Sequence, residues 1–514
     1  MSILDYFPEG FTPRESQVKA LTEIEAKWDL SDVLVLDMDV GTGKSHTLQT
    51  IARWRASKDE TSATLTPRVS LQQQYKFTFP DVVVLQGKGR YSCKDKTFKN
   101  CLEKKEVTGD YCKGCDYACD RATAKESDNG VFSIHSYLML RSRKDNLLVD
   151  EAQSLYSIMS EQNTIKLWQH KVKYPNNMKE YGDVIIWLEK AIKLYEKEEK
   201  NLIEQISNLK AHGAKHSEMI AWITGLKEIE QSIRKYKRVL KGIRHSPTDY
   251  FIEHITEPYR GKPHKALQIR PTTLEGSLGW LWPKPETKKV VLASGTLSEL
   301  DLKKLGLEGL RVNWIHAPQA ISTECRPIVL EFAGNMSYRY QDKSIPSIAD
   351  KILELQARHP NTKGLVHTTY AISAKLKKIL CKKSGIIWHD KTDKEDALQR
   401  FRNAPPGTLF IACGMSTGLD LSGPQYGYQV LTKVPWASKA DKLIEYWYDR
   451  DFEWVAWMAA REIIQACGRV NRYDGDQATT YIIDNNFGNP KKNRRGFLMQ
   501  FKKYFPKEFM ERIK

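Results

Sequence analysis

Gly41-Thr42-Gly43-Lys44-Ser45 follows the apolar run Val33 to Asp37 and precedes a helix-forming stretch. In that setting backbone N–H groups and a helix N-terminus can cradle phosphates. Lys44 would reach the β and γ phosphates of ATP, and the Ser45 hydroxyl would ligate Mg2+, a hard cation that takes oxygen ligands. Gly41, Thr42, Gly43 and His46 complete the nucleotide-binding set. Met38 stands where the full G-x-x-x-x-G-K-[ST] pattern has its first glycine, and the competing reading is a chance glycine turn.

Leu147-Leu148-Val149-Asp150-Glu151-Ala152-Gln153 reads as an apolar strand ending in two carboxylates. That layout puts Asp150 on the metal and Glu151 on the attacking water. Acids also cap helices, so the pair gains its catalytic meaning from the phosphate loop upstream. Gln465-Ala466-Cys467-Gly468-Arg469-Val470-Asn471-Arg472 presents two arginines three apart, neighbours on a helix surface. Arg469 and Arg472 could stabilise charge on a transferring phosphoryl group from across a cleft, with Gln465 beside them. Alone they would read as a surface ion-pair set.

Nine cysteines are unevenly placed: Cys93, Cys101, Cys112, Cys115 and Cys119 crowd together, while Cys325, Cys381, Cys413 and Cys467 are scattered. A crowded set in a large chain points to a metal site, and Cys112-x-x-Cys115 is a two-ligand step for zinc and for iron–sulfur clusters alike. Thiolate spacing alone favours zinc.

Positioning these groups requires sheets. Short β-branched runs recur at Val33–Asp37, Val82–Leu85, Leu147–Asp150 and Val290–Ala293. They return at Ile328–Leu330, Gly364–His367, Thr408–Ile411, Gln429–Leu431 and Tyr481–Ile483. Their alternation with helical patterns predicts parallel sheets covered by helices, in two groups separated by a hinge between Pro318 and Pro327. Between about residues 169 and 262 the rhythm breaks. Leu188, Ile192 and Tyr195, then Trp222, Leu226, Ile229, Ile233, Tyr236 and Leu240, recur at helical spacing, with Gly213 separating two long helices. An all-helical insertion follows.

Lysine and arginine number 80 against 63 acids, a formal charge of +17 that favours a polyanionic partner. No apolar run is long enough to span a membrane, and Met1 to Phe11 lacks a signal-peptide layout; the expectation is a cytoplasmic protein. Lys491, Lys492, Arg494 and Arg495 form a basic cluster that reads as a solvated loop.

Taken in order, these segments resemble the XPD/DinG-like helicases of superfamily 2. Phe11-Thr12-Pro13-Arg14-Glu15-Ser16-Gln17 is similar to the family's adenine-reading segment, which implies base contacts from Gln17 and Arg14. Thr64 to Gln74 resembles a strand-to-helix motif that touches DNA phosphates, and Ile134-His135-Ser136-Tyr137-Leu138 a segment preceding the acidic strand. Leu292 to Ser298 resembles the S-G-T-L-S motif. Gly414 to Asp420 resembles G-x-x-x-G-x-D, with Thr417 in place of the usual glutamate and with Gly418 and Asp420 as nucleotide-side candidates. Val434-Pro435-Trp436 matches the step between the last two motifs.

The resemblance implies an α/β protein with two RecA-like doubly wound parallel-sheet motor domains, a small iron–sulfur insertion and an all-helical, arch-like insertion. On this reading motor domain 1 comprises 1–88, 126–168 and 263–320, interrupted by the cluster insertion 89–125 and the helical insertion 169–262. Motor domain 2 is 321–514. The resemblance reverses the zinc preference, because Gly87 to Cys93 and Cys115-Asp116-Tyr117 look like the family's cluster-binding segments. A [4Fe-4S] cluster on Cys93, Cys101, Cys112 and Cys115 follows, with Cys119 as the alternate. The expected activity is ATP- and Mg2+-dependent 5′ to 3′ movement of a monomer on single-stranded DNA, unwinding duplex or forked DNA in repair or replication. The competing readings are a translocase that does not separate strands, and a zinc-stabilised nucleic-acid-binding protein with a vestigial ATP site.

Overall fold

A computed structural model describes the chain except residues 40, 99, 141–142, 176–177, 179, 215, 260, 276–281, 283–286, 318–320, 415–420, 422, 471–475 and 489–494. Two compact units emerge: Met1–Met38 with Gly43–Ala317, and Asp39–Thr42 with Pro318–Lys514.

The first unit contains ten strands among the described residues: β1 (Val33–Asp37), β2 (Ser62–Thr66), β3 (Val83–Leu85), β4 (Asn129–Ser133), β5 (Asn146–Asp150), β6 (Ile165–Trp168), β7 (Tyr250–Tyr259), β8 (Lys262–Pro271), β9 (Lys289–Ser294) and β10 (Val312–His316). Seven of them form a sheet in the order β10-β1-β9-β5-β2-β4-β3, every pair parallel. Parallel strands covered on both faces are apolar throughout rather than alternating, and Val33 to Leu36 are accordingly all buried. Leu34, Leu36, Leu148 and Val291 pack under the helices Glu15–Lys27 and Lys44–Ala56 through Leu21, Ile24, Leu48 and Ile51.

The insertion holds the two expected helices, Tyr181–Ala211 and His216–His245, on either side of Gly213, whose φ of 72° suits a residue without a side chain. Leu188, Ile192 and Tyr195 meet Ile229, Ile233, Tyr236 and Leu240 in one core, whereas Trp222 is 40% exposed. The interval 169–262 is not helical throughout. β7 pairs with β8 and β8 with β6 in an antiparallel sheet whose Leu167, Leu267 and Ile269 join the same core. The hairpin turns at Gly261, with φ 80°, where Tyr259 faces Lys262. The run Tyr250–Tyr259, rich in β-branched and aromatic residues and followed by Gly261, is a strand-and-turn signal, and the strong helical period on its N-terminal side masked it.

The second unit contains β11 (Ile328–Gly334), β12 (Lys363–Thr368), β13 (Ile386–Ile387), β14 (Leu409–Cys413), β15 (Tyr426–Leu431) and β16 (Thr479–Asp484). They form a parallel sheet in the order β11-β16-β15-β12-β14-β13. Val366, Ile411, Val430 and Ile483 lie in its core with Ile348, Ile352 and Leu376 of the covering helices. Among the described residues no helix is long and apolar enough to cross a membrane.

On β12 the buried His367 shares a hydrogen bond of 3.2 Å with Gln429 Oε1, and Gln429 Nε2 donates to Thr480 Oγ1 at 2.9 Å. Burial, with a smaller push from Arg469, lowers the imidazole from 6.5 to about 4. A depressed folded-state value contributes stability that is complete above pH 6.5 and is lost as pH falls through about 4. At about 1.4 kcal/mol per unit, the full loss is on the order of 3 kcal/mol. Denaturant titrations at pH 7.5 and 4.5 should therefore show a smaller acid-side loss for His367→Gln than for the native protein, and equal losses would refute the assignment.

Candidate active site

β1, β9 and β5 are neighbours, so the loops that follow Asp37, Ser294 and Asp150 leave the sheet side by side at its carboxyl edge. In open α/β sheets this edge is where ligands bind. Three segments widely separated in sequence, the glycine loop, the Asp-Glu pair and the Ser-Gly-Thr segment, are thereby gathered in one place.

Gly41 and Gly43 take φ values of 82° and 87°, the left-handed region that glycine enters without strain. Gly43 is required for a second reason: a Cβ there would lie 2.4 Å from Gln17 Nε2. That amide donates to the Gly43 carbonyl at 3.1 Å, while Gln17 Oε1 accepts from the Arg14 backbone N–H at 2.9 Å. The expected adenine-reading glutamine is therefore buried and clamped onto the phosphate loop, and Arg14 contributes its backbone to that clamp.

Lys44 opens the helix Lys44–Ala56, whose first N–H groups have no partner within the helix. Its ammonium donates to the Met38 carbonyl at 3.2 Å and stands 4.0 Å from Glu151 Oε1. Ser45 Oγ donates to Asp150 Oδ2 at 3.4 Å. The His46 ring lies among Phe7, Phe11 and Phe79, with centroid separations of 6.2, 4.5 and 5.1 Å, and burial lowers its pKa. That ring is neutral packing, so the contact His46 offers a phosphate is its backbone N–H.

Asp150 is buried, and burial, then the charge of Glu151, raises its carboxyl to about 6 against the opposing pull of Lys44. Tyr75, fully buried on the helix Val69–Thr78, donates its hydroxyl to Asp150 Oδ2 at 3.0 Å. Sequence reasoning missed this residue. It follows directly after the Thr64 to Gln74 segment, and an aromatic on a helix reads as core until the fold aims its hydroxyl. Glu151 itself takes φ 52° and ψ 47°, a strained conformation for a residue with a side chain. Gln153 Nε2 donates to Glu151 Oε2, and Ser294 Oγ donates to Gln153 Oε1 at 2.6 Å. Lys44, Glu151, Gln153 and Ser294 therefore form a continuous polar chain from the phosphate loop to the Ser-Gly-Thr segment. Tyr137, in the Ile134 to Leu138 segment, accepts from the Lys144 backbone N–H at 3.1 Å and so braces the approach to β5.

In the second unit Gln465 and Arg469 are buried, at the end of the helix Phe452–Ala466 and just beyond it. Arg472, Gly418 and Asp420, like Thr417 and the basic residues 491, 492 and 494, lie outside the described residues.

The five crowded cysteines separate into four and one. Cys101 and Cys115 are buried with their sulfurs 3.3 Å apart. Cys112 is within hydrogen-bonding reach of both Cys115 and Cys93, and Cys101 feels the charge of Cys115, Cys93 and Cys112. Cys119 is exposed. Tyr91, Tyr111 and Tyr117 pack beside this set, with centroid separations of 5.3 and 5.5 Å to Tyr117. Among the described residues no group of three or more His, Cys, Asp or Glu is arranged to hold a metal ion.

The chain thus combines two parallel α/β units, in the first of which Lys44 and Ser45 face the Asp150-Glu151 pair. Residues 357–504 match the family of the helicase C-terminal domain. The fold resembles an XPD helicase structure at 15% identity and TM-score 0.59, over 93% of this chain and 96% of that one. It also resembles the S. tokodaii Xpd4 structure at 14% identity and TM-score 0.56, over 98% and 99% of the two chains. No curated protein matches. Residues 357–504 thus match a helicase C-terminal domain, and the fold of the chain is that of the XPD helicase structures.

The raised Asp150 pKa means that the buried charge costs stability above about pH 6, a penalty absent below 3.8. In metal-free buffer at pH 7.5, Asp150→Asn should therefore raise the thermal midpoint, by the equivalent of about 1–3 kcal/mol. Tyr75→Phe, which removes a hydrogen bond to a charged group, should lower it by about 1–3 kcal/mol. The opposite order of midpoints would overturn this account of the site.

Proposed function

We propose that the protein hydrolyses ATP to move 5′ to 3′ along single-stranded DNA and to separate duplex or forked DNA, acting as a monomer. The observation that carries this reading is the polar chain from Lys44 through Glu151 and Gln153 to Ser294, because it joins the phosphate loop to the segment that the resemblance assigns to DNA grip. Bound Mg2+ would neutralise charge on the β and γ phosphates and hold them in line for attack.

Ser45 and Asp150 would hold that ion. Glu151 orients the attacking water and accepts its proton. Lys44, the Gly43 turn and the helix N-terminus bind the phosphates, while Gln17 and Arg14 read the base. Arg469 and Arg472 supply positive charge to the transferring phosphoryl group, and Gln465, Gly418 and Asp420 complete the nucleotide set. Loss of the γ phosphate changes what Lys44 and Glu151 face, and Gln153 passes that change to Ser294.

A [4Fe-4S] cluster takes four cysteines, and the resemblance points to four of the five crowded here. Cys93, Cys101, Cys112 and Cys115 would hold it and so tie together a segment with few apolar residues of its own.

Lys44→Ala should reduce ATPase activity by more than about 100-fold, as expected for a group that contacts the transferring phosphoryl, while single-strand affinity holds. Equal loss of both would sink this division of roles. Strand displacement from a 5′-tailed but not a 3′-tailed duplex would support the polarity. Translocation without displacement would favour a remodelling translocase. Anaerobically purified protein should contain iron and sulfide. Cys119→Ser should leave both unchanged and Cys112→Ser should lose them, whereas zinc alone would overturn the cluster.

A further inference from the structure

The second unit carries a cavity of about 210 Å3 at the carboxyl ends of β11, β16 and β15. Its floor is the buried Asp484. One carboxylate oxygen accepts from the backbone N–H of Met336 at 3.0 Å, from that of Asn486 at 3.0 Å and from Asn486 Nδ2 at 2.8 Å. The other accepts from the Val434 N–H at 2.9 Å. Four donors consume the carboxylate, so it pins three loops together and presents little acceptor capacity to the cavity.

The remaining charged groups of the lining are Lys433 and Arg495. Lys433 is half-buried, and burial pushes its ammonium below the ordinary value even though Asp484 opposes that shift and Lys375 adds to it. An anion beside it would therefore be favoured. The walls are aromatic. Trp436 meets Phe497 edge-on at 5.0 Å and Phe501 edge-on at 5.8 Å, and stacks on Phe452 at 5.7 Å. Trp436 and Phe501 each remain partly exposed, and Tyr338, next to Ser337 of the lining, is 90% exposed.

We infer that this cavity takes one unstacked base of a bound single strand, packed against the aromatic wall that Trp436 and Phe501 form together, with Lys433 and Arg495 on the adjoining phosphates. The volume is smaller than the ~300–1,000 Å3 of sites for drug-sized ligands, which suits a single ring system rather than a whole nucleotide. Aromatic walls beside cations are what sequence-tolerant single-strand binding uses. A cationic rim disfavours a basic or neutral peptide, and the chain's excess of 80 cationic over 63 acidic residues favours a polyanion. The segments that the resemblance assigns to backbone grip include neither Phe501 nor Arg495, so this is an additional contact. It rests on the reading of the protein as a single-strand-binding motor.

The test uses the full chain and a thymidine oligonucleotide carrying one 2-aminopurine, moved along the strand at fixed salt. The native protein should quench the probe at one position, and an abasic site there should weaken binding about 5- to 100-fold, the usual worth of one stacked base. Phe501→Ala should lose the quench and weaken binding as much, Lys433→Met should weaken it further, and Phe501→Tyr should keep both. The abasic site should cost Phe501→Ala nothing more, since both changes remove one interaction. Should Phe501→Ala fail to give a cooperative melt, Phe501→Leu removes the ring while retaining most of the volume. A folded variant that quenches and binds like the native protein, or losses that add in full, would overturn the pocket alone. A native protein that binds no single strand would overturn the motor reading itself.

Discussion

A carboxylate held away from water at the end of β5 is the constraint around which the first unit is arranged. Burying an ionised group costs several kcal/mol unless hydrogen bonds and opposite charge replace its hydration. Asp150 obtains that replacement from Ser45, Tyr75 and the N–H of Glu151, with Lys44 nearby as the opposing charge. These partners come from three separate stretches of chain, and they meet because β5 is paired with β9 on one side and β2 on the other. The compensation is incomplete, as the raised pKa shows, and a group left partly uncompensated is well suited to accept a metal ion.

The second unit has a buried carboxylate at the corresponding edge of its sheet, and the comparison separates structure from chemistry. Asp484 ends β16 and is met by four N–H donors from three loops. It is a fastening, and its consequence is the shape of the cavity above it. Asp150 is met by two hydroxyls and one N–H, and keeps capacity for another partner. The same residue type at the end of a parallel strand is thus given different work by the number of fixed donors around it.

Strain and connectivity distinguish the polar chain from ordinary packing. Glu151 holds a left-handed backbone that costs of order 1–3 kcal/mol and persists only where its surroundings overdetermine it. Here the surroundings are Lys44 on one side and Gln153 on the other, and Gln153 is in turn fixed by Ser294. A change at the Gly41–Ser45 loop alters one end of a polar series whose other end begins the Ser-Gly-Thr loop.

The sequence by itself determined the parallel-sheet class, the nine strands first read and the two long helices around Gly213, because these rest on local signals: apolar runs, 3.6-residue periodicity, and glycine where the chain must turn tightly. The close approach of the Cys101 and Cys115 sulfurs and the exposure of Cys119 were not legible, since spacing places thiols in a loop without saying which sulfurs meet. The hairpin at Gly261 was hidden by the helical pattern next to it. Tyr75, the clamp of Gln17 on Gly43 and the Asp484 fastening were decided by tertiary structure alone. Each is a contact between residues brought together by strand order, and strand order is set by how the whole sheet buries its faces rather than by any short stretch of residues.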